Sequence, residues 1–191
     1  VVILNPSNLD LYVAAGGAEN IVGKPTSQAL SETVKEKTAA AEEVGIIHQP
    51  DMEKILALQP DLIIGTNVPF HTALEEALSN VGVPLYIQAL DDVPSLFGAL
   101  ELYGRLTGHE DDAAAQIAAI RQKLDAVKKK ADGRTPPKNL LVFGAPDSFN
   151  MGTSKCFTGG LIEMLGGGNI ADRADGDGAY LPISMEFVAR E

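Results

Sequence analysis

Short runs of consecutive apolar residues recur along the first half of the chain, and the stretches between them carry apolar positions at helical spacing. "VVIL" (residues 1–4), "DLIIG" (61–65) and "PLYIQ" (84–88) have the unbroken hydrophobicity of strands buried on both faces. Pro6 breaks the first run, and Ser7 offers an N-cap for a helix over "NLDLYVAA" (8–15). Gly16 and Gly17 supply its stop signal. "IVG" (21–23) reads as a second strand, and the polar, Ala-rich stretch 28–43 as a surface helix. Asp51 caps a helix over "MEKILAL" (52–58), which Pro60 halts. "PFHTALEEALSNVG" (69–82) predicts one amphipathic helix. Strands alternating with helices in this way predict a parallel α/β sheet.

The rhythm changes at Val93. From there to about Asp132 no strand pattern occurs, and Gly108 divides the stretch into two helices. The second places Ile117, Ile120, Leu124 and Val127 at helical spacing, with acidic residues in its first turn and "KKK" (128–130) near its end. Its charges thus follow the helix dipole. At about 1.5 Å per residue it would extend about 30 Å, enough to run from one domain to another. "GRTPPKN" has the composition of a hinge-like exit, and "LLVFG" (140–144) resumes the strand pattern.

The remainder repeats the order of the beginning. A strand leads to a polar loop, "APDSFNMGTSKCFTG", then to a helix, "GLIEML", and a glycine stop, "GGGNIAD", to set beside "AAGGAENIVG". "SMEFVARE" stands where "DMEKILAL" stood, each with a glutamate (Glu186 and Glu53) at the second helical position after a capping residue, Ser184 and Asp51. An ordered recurrence of this kind indicates internal duplication. The expected fold class is α/β: two parallel-sheet lobes with flanking helices, joined by one long helix. The boundaries expected are an N-terminal lobe over 1–108, a backbone helix over 109–132 and a C-terminal lobe over 138–191. The second copy stops where the first continues, so the second lobe is expected to be incomplete and the chain to be a fragment of a longer protein.

A formal net charge of -11 and a sequence pI near 4.7 argue against a nucleic-acid partner, which calls for a basic face. No apolar run approaches the roughly 18 residues that span a bilayer. Cys156 is the single cysteine, so no internal disulfide forms, and this leaves the compartment open. A monomer is expected.

In open α/β sheets ligands sit outside the carboxyl ends of the strands. Those ends nominate Asn5, Ser7 and Asn8 after the first strand, and Thr66, Asn67 and Phe70 after "DLIIG". They also nominate Gln88 after "PLYI", and Ser148, Phe149, Asn150, Met151, Ser154 and Lys155 after "LLVFG", with Tyr180 as a further aromatic surface. Such groups would hold a ligand by hydrogen bonds and contact area. Turn and capping chemistry accounts equally for "NPSN" and "GTSK", and Phe70 and Phe149 fit a core as well as a rim. His48, His71 and His109 form no close metal-binding motif, so neither a resident metal nor a cofactor is expected. His109 is expected to cap the long helix or face solvent. The glycines of "GGGNIAD" follow a helix instead of leading into one, so the dinucleotide fingerprint fails and an enzyme is not expected.

"VVILNPSNLDLYVAAGGAENIVG", "EVGIIHQPDMEKILALQPDLIIGT", the long helix and "FTGGLIEMLGGGNIAD…YLPISMEFVARE" together resemble the substrate-binding proteins of ABC importers for ferric siderophores, haem and cobalamin. The resemblance covers nearly all 191 residues, and Met52 to Asp61 followed by an apolar strand is its most specific part. It implies a non-catalytic receptor outside the cytoplasmic membrane, periplasmic or lipid-anchored, holding an iron complex or a corrinoid between two lobes. It also implies that Glu53 and Glu186 dock the lobes onto arginines of a dimeric permease. A ferric siderophore is the ligand favoured here, with cobalamin or haem as alternatives, because the chain has no tryptophan and only four tyrosines for stacking on a large flat ring. A receptor for free zinc or manganese is a third reading.

Overall fold

The computed structural model describes residues 1–145 and 148–190. They divide into two compact units, one comprising residues 1–89 and 97–117, the other residues 90–96 and 118–191.

The first unit begins with β1 (Val2–Ile3), α1 (Pro6–Ala14), β2 (Gly23–Lys24), α2 (Glu32–Lys37) and β3 (Glu42–Glu43). A small hairpin follows, β4 (Gly45–Ile46) and β5 (Gln49–Pro50), then α3 (Met52–Ala57), β6 (Ile63–Gly65), α4 (Pro69–Thr72), α5 (Glu75–Asn80) and β7 (Leu85–Ile87). Five strands pair in parallel in the order β3-β2-β1-β6-β7. The order reverses between β1 and β6, which makes their carboxyl ends the switch point of the sheet. Val2, Leu4, Ile55, Ile63 and Leu78 pack into one core cluster, while Ile3, Ile64, Tyr12, Leu100 and Tyr103 are also fully or almost fully buried. Both faces of the central strands are therefore covered, which explains their unbroken apolar runs. Each such side chain contributes roughly 1.5–3 kcal/mol by its burial.

Helices α6 (Val93–Thr107) and α7 (Glu110–Ala131) follow, with Gly108 between them at φ 72°. Helix α7 is a continuous 22-residue element. Its residues through Ile117 belong to the first unit and those from Ala118 to the second.

The second unit continues with β8 (Lys138–Asn139), β9 (Leu141–Ala145), β10 (Ser148–Gly152), α8 (Phe157–Met164), β11 (Gly168–Asn169), β12 (Tyr180–Pro182) and α9 (Met185–Arg190). Among its described residues parallel pairing is confined to the short pair β8–β11. The larger ladder, β12-β10-β9, is antiparallel. The stretch 138–145 thus changes partner along its length, pairing first with β11 and then with β10. Met151, Ala171, Leu181 and Phe187 form the core of this unit.

Three local expectations are corrected. The first helix starts before residue 8, with Asn5 in the N-cap position and Pro6 in its first turn, so Ser7 lies inside the helix. Pro6 is suited to that place because its missing N–H is not needed there. The surface helix expected over 28–43 shrinks to α2. The helix expected over 69–82 is two, parted at residues 73–74, where the Thr72 hydroxyl bonds back to the carbonyls of Val68 and Pro69 at 3.3 Å. Hydroxyls that take helical carbonyls in this way weaken the regular ladder.

Candidate functional site

At the switch point of the first sheet, one buried amide gathers the strand ends. Asn8, fully buried on α1, donates from Nδ2 to Asn5 Oδ1 at 2.9 Å, to the Gly65 carbonyl at 3.1 Å and to the Gln88 carbonyl at 3.0 Å. Its Oδ1 accepts from the Tyr103 hydroxyl at 3.0 Å. Two amide hydrogens are shared among three acceptors, and the side-chain oxygen is also taken. Burial pushes the Tyr103 hydroxyl well above the usual tyrosine value, so it stays a donor. Asn5 is buried as well. Asn5 and Asn8 therefore form a floor whose polar groups are turned toward each other and the backbone.

The rim above this floor is exposed. Ser7, Asn67 and Phe70 are solvent-accessible, and Thr66 and Gln88 are half-buried. The Gln88 side chain accepts from the Tyr86 hydroxyl at 3.0 Å and donates to the Ala89 carbonyl. Phe70 meets His48 edge-on, with ring centroids 5.3 Å apart. His48 is exposed in the β4–β5 turn, and His71, beside Phe70 in the chain, is fully buried. His109 is half-exposed at the start of α7, its Nδ1 3.1 Å from Asp112 Oδ2.

In the second unit the residues expected on a loop over 145–157 lie mostly on β10, since Ser148 to Gly152 pair with β9. Pro146 and Asp147 of that segment lie outside the described residues. The alternation of a strand separates the candidates by face. Ser148 and Asn150 share one face with Phe143 and Tyr180; Phe149 and Met151 take the other, where Met151 is buried in the core. Tyr180 and Phe143 stand edge to face at 5.0 Å, and both are exposed. Gly152 lies below this pair: a Cβ there would come within 2.8 Å of Phe143 Cε2. Burial first, then Cys156 and Asp91, push the Tyr180 hydroxyl upward. Beyond β10, the Ser154 N–H donates to Asp172 Oδ1 at 2.8 Å and the exposed Lys155 ammonium donates to the Asp177 carbonyl. Phe143 escaped the sequence reading because it sits inside an apolar run, where no local signal marks a surface aromatic. Tyr103 was hidden in the same way within a helical pattern.

The repeated glutamates occupy matching local settings. In α3 the Asp51 carboxylate accepts from the Lys54 N–H at 3.1 Å; at α9 the Ser184 hydroxyl accepts from the Phe187 N–H at 3.1 Å. In each case the cap reaches the third helical residue and leaves the glutamate at the second position. Glu53 and Glu186 are both exposed, and neither makes an ion pair among the described residues. Among the described residues no cluster of three or more His, Cys, Asp or Glu is placed to hold a metal ion, and no helix is long and apolar enough to cross a membrane.

The family model described as periplasmic binding protein matches residues 1–191. A cobalamin-binding protein of Halobacterium salinarum is 25% identical over 192 aligned residues, which take in 100% of this chain and 51% of that protein. The chain thus spans about half the length of that curated relative. Among solved structures, an ABC transporter substrate-binding protein from Listeria monocytogenes superposes with a TM-score of 0.83 at 20% identity, covering 99% of this chain and 70% of the other. A possible iron-binding, periplasmic solute-binding protein from Staphylococcus epidermidis gives 0.81 at 18% identity, covering 99% and 72%. These two likenesses concern the fold.

Proposed function

The chain belongs to the periplasmic binding protein family, and from that premise we propose that it serves in the solute-binding component of an ABC importer. It captures a ferric siderophore or related iron complex outside the cytoplasmic membrane, in the periplasm or on a lipid tether, and delivers it to a permease. The single observation that carries this reading is the pair of exposed first-turn glutamates, Glu53 and Glu186, presented by matching capped helices in the two units. Exposed carboxylates at helix starts suit a transient partner with basic groups: each contact is weak and salt-sensitive, and together they orient an encounter.

Ligand contacts in the first unit are assigned to the rim residues Ser7, Thr66, Asn67, Phe70 and Gln88, with Asn5 and Asn8 as the support beneath them. In the second unit they are assigned to Ser148, Asn150 and Tyr180, joined by Phe143, and to Ser154 and Lys155. Phe149 and Met151, nominated from the sequence, lie on the opposite face of β10 and are withdrawn from this group. A second reading, a corrinoid ligand, is favoured by the cobalamin-binding relative and by the exposed Phe143–Tyr180 pair, which offers a flat ring an aromatic edge.

Native mass spectrometry of the full-length protein, offered ferric siderophores, haem and cobalamin together, tests this directly. One bound iron complex is the expected result, and a bound corrinoid selects the second reading. Stoichiometric uptake of free zinc or manganese, or turnover of nucleotides or esters with no ligand retained, would overturn the proposal.

A further inference from the structure

The loop between β6 and α4 closes on a single buried ring. The Thr66 N–H donates to His71 Nδ1 at 3.0 Å, the Val68 N–H to the Thr66 carbonyl at 2.7 Å, and the His71 N–H to the Val68 carbonyl at 3.0 Å. The strand end before the loop is fixed, because the Gly65 carbonyl accepts from Asn8 and from the Gln88 N–H. The imidazole packs against that end: a Cβ on Gly65 would lie 3.2 Å from both Cβ and Nδ1 of His71. Thr66, Asn67, Val68, Pro69 and Phe70 thus hang between a pinned strand and a pinned ring.

An Nδ1 that accepts a hydrogen bond carries no proton, so the proton of the neutral ring is on Nε2. Nε2 is buried without a partner among the described residues. Among the described residues the hydrogen bond that holds the ring is the one accepted by Nδ1. Protonation would turn Nδ1 into a donor facing the Thr66 N–H, and the bond that closes the loop would become a repulsion.

Resting on the assignment of residues 66–70 as a ligand-contacting loop, we propose that His71 is the positioning residue for that loop, holding it closed while neutral and releasing it when protonated. The groups around the ring agree with a single controlling proton. The β4–β5 turn contributes His48, which is exposed, stands edge-on to Phe70 and repels a second positive charge. The same turn contributes the backbone at Ile47, which favours the protonated ring. Glu75 and Glu76 on α5 are exposed, and among the described residues no carboxylate is hydrogen-bonded to the ring. Burial, the largest influence, holds His71 below the ordinary histidine value and His48 adds to that shift, while the backbone at Ile47 and at Thr66 opposes it.

A folded-state value below the unfolded one fixes the sign. The neutral ring's contribution to stability is complete above the unfolded histidine value of about 6.5 and is lost as pH falls from there through the depressed folded value. The test is nitrogen-resolved NMR of the ring and of the Thr66 amide in the whole chain without ligand, titrated from neutral to acidic pH. The expected result is one Nε2–H tautomer at neutral pH, a midpoint below the ordinary value, and a Thr66 amide shift and loss of exchange protection that follow the same curve. His71→Asn places an amide oxygen where Nδ1 now accepts, so it should keep the Thr66 bond and flatten the pH response. His48→Gln should leave that response in place. A ring that titrates at or above the ordinary value while Thr66 stays still, or a His71→Asn protein as acid-sensitive as the parent, would overturn the proposal. Affinity for a ferric complex is measured separately, with a several-fold loss expected on acidification that His71→Asn suppresses. If the loop responds to pH as described and neither an iron complex nor a corrinoid binds, the role of His71 stands and the transport reading fails.

Discussion

Tyr103 and Asn8, 95 residues apart in the chain, meet through a 3.0 Å hydrogen bond from the tyrosine hydroxyl to the asparagine side-chain oxygen. Both are fully buried, and the same amide holds the carboxyl ends of β6 and β7. Tyr103→Phe keeps the packing and leaves Asn8 Oδ1 buried without its donor. It should destabilise the protein by about 1–3 kcal/mol, the usual range for an unsatisfied buried group. Urea denaturation checks the value.

The two caps give a matched pair of variants. Asp51→Ala and Ser184→Ala each remove the acceptor for one backbone N–H in a first helical turn. Each should cost about 1 kcal/mol. Thermal melts of the two single variants and the double variant should show additive losses, because the two helices share no partner.

Glu53→Ala combined with Glu186→Ala removes two exposed charges that make no ion pair among the described residues. Stability and ligand affinity should be nearly unchanged, and ligand uptake into cells or permease-containing vesicles should be impaired. A double variant that loses ligand binding would contradict the docking role. Raising the salt concentration should weaken the parent protein's delivery more than the variant's, as screening of exposed charges requires.

Two glycines should respond in opposite directions. A Cβ at Gly159, in the first turn of α8, would fall 2.0 Å from the Thr153 backbone oxygen. Gly159→Ala must therefore displace main chain and should destabilise the second unit by about 1–3 kcal/mol. Gly98, inside α6, has open space where its Cβ would be. Gly98→Ala should stabilise by about 0.5–1 kcal/mol, the helix-propensity difference. Circular dichroism melts separate the two outcomes.

What could be read from the sequence follows from how local each signal is. The strands over residues 1–4, 61–65 and 84–88 announced themselves as short apolar runs; in β1 and β6, burial on both faces leaves no polar position within the strand. The caps at Asp51 and Ser184 were legible because capping is a contact between residues three apart. Strand β10 was not, because "SFNMG" carries a glycine and two polar residues and owes its extended form to pairing with β9 and β12. The same holds for the β4–β5 hairpin, whose first strand opens at Gly45 with φ 101° and whose turn is Ile47–His48. The candidate site was legible as a set of strand ends, since α/β topology fixes where those lie. The roles within it were not: Asn5, Asn8 and Asn67 are alike in sequence, and only long-range partners such as Gly65, Gln88 and Tyr103 make two of them floor and leave the third on the rim.

The outermost strand beside β2 is only two residues long, and both are glutamates, Glu42 and Glu43. An unpaired strand edge is a template on which another chain can stack; on this short ledge Lys54 lies 3.7 Å from Glu42 and donates to the Glu43 carbonyl, and the charged cover denies it that use. Crowded at high concentration, neighbouring copies would meet charged, hydrated side chains along this border instead of zipping into fibres. Neutral, branched side chains there would remove the safeguard and leave the interior of the sheet untouched.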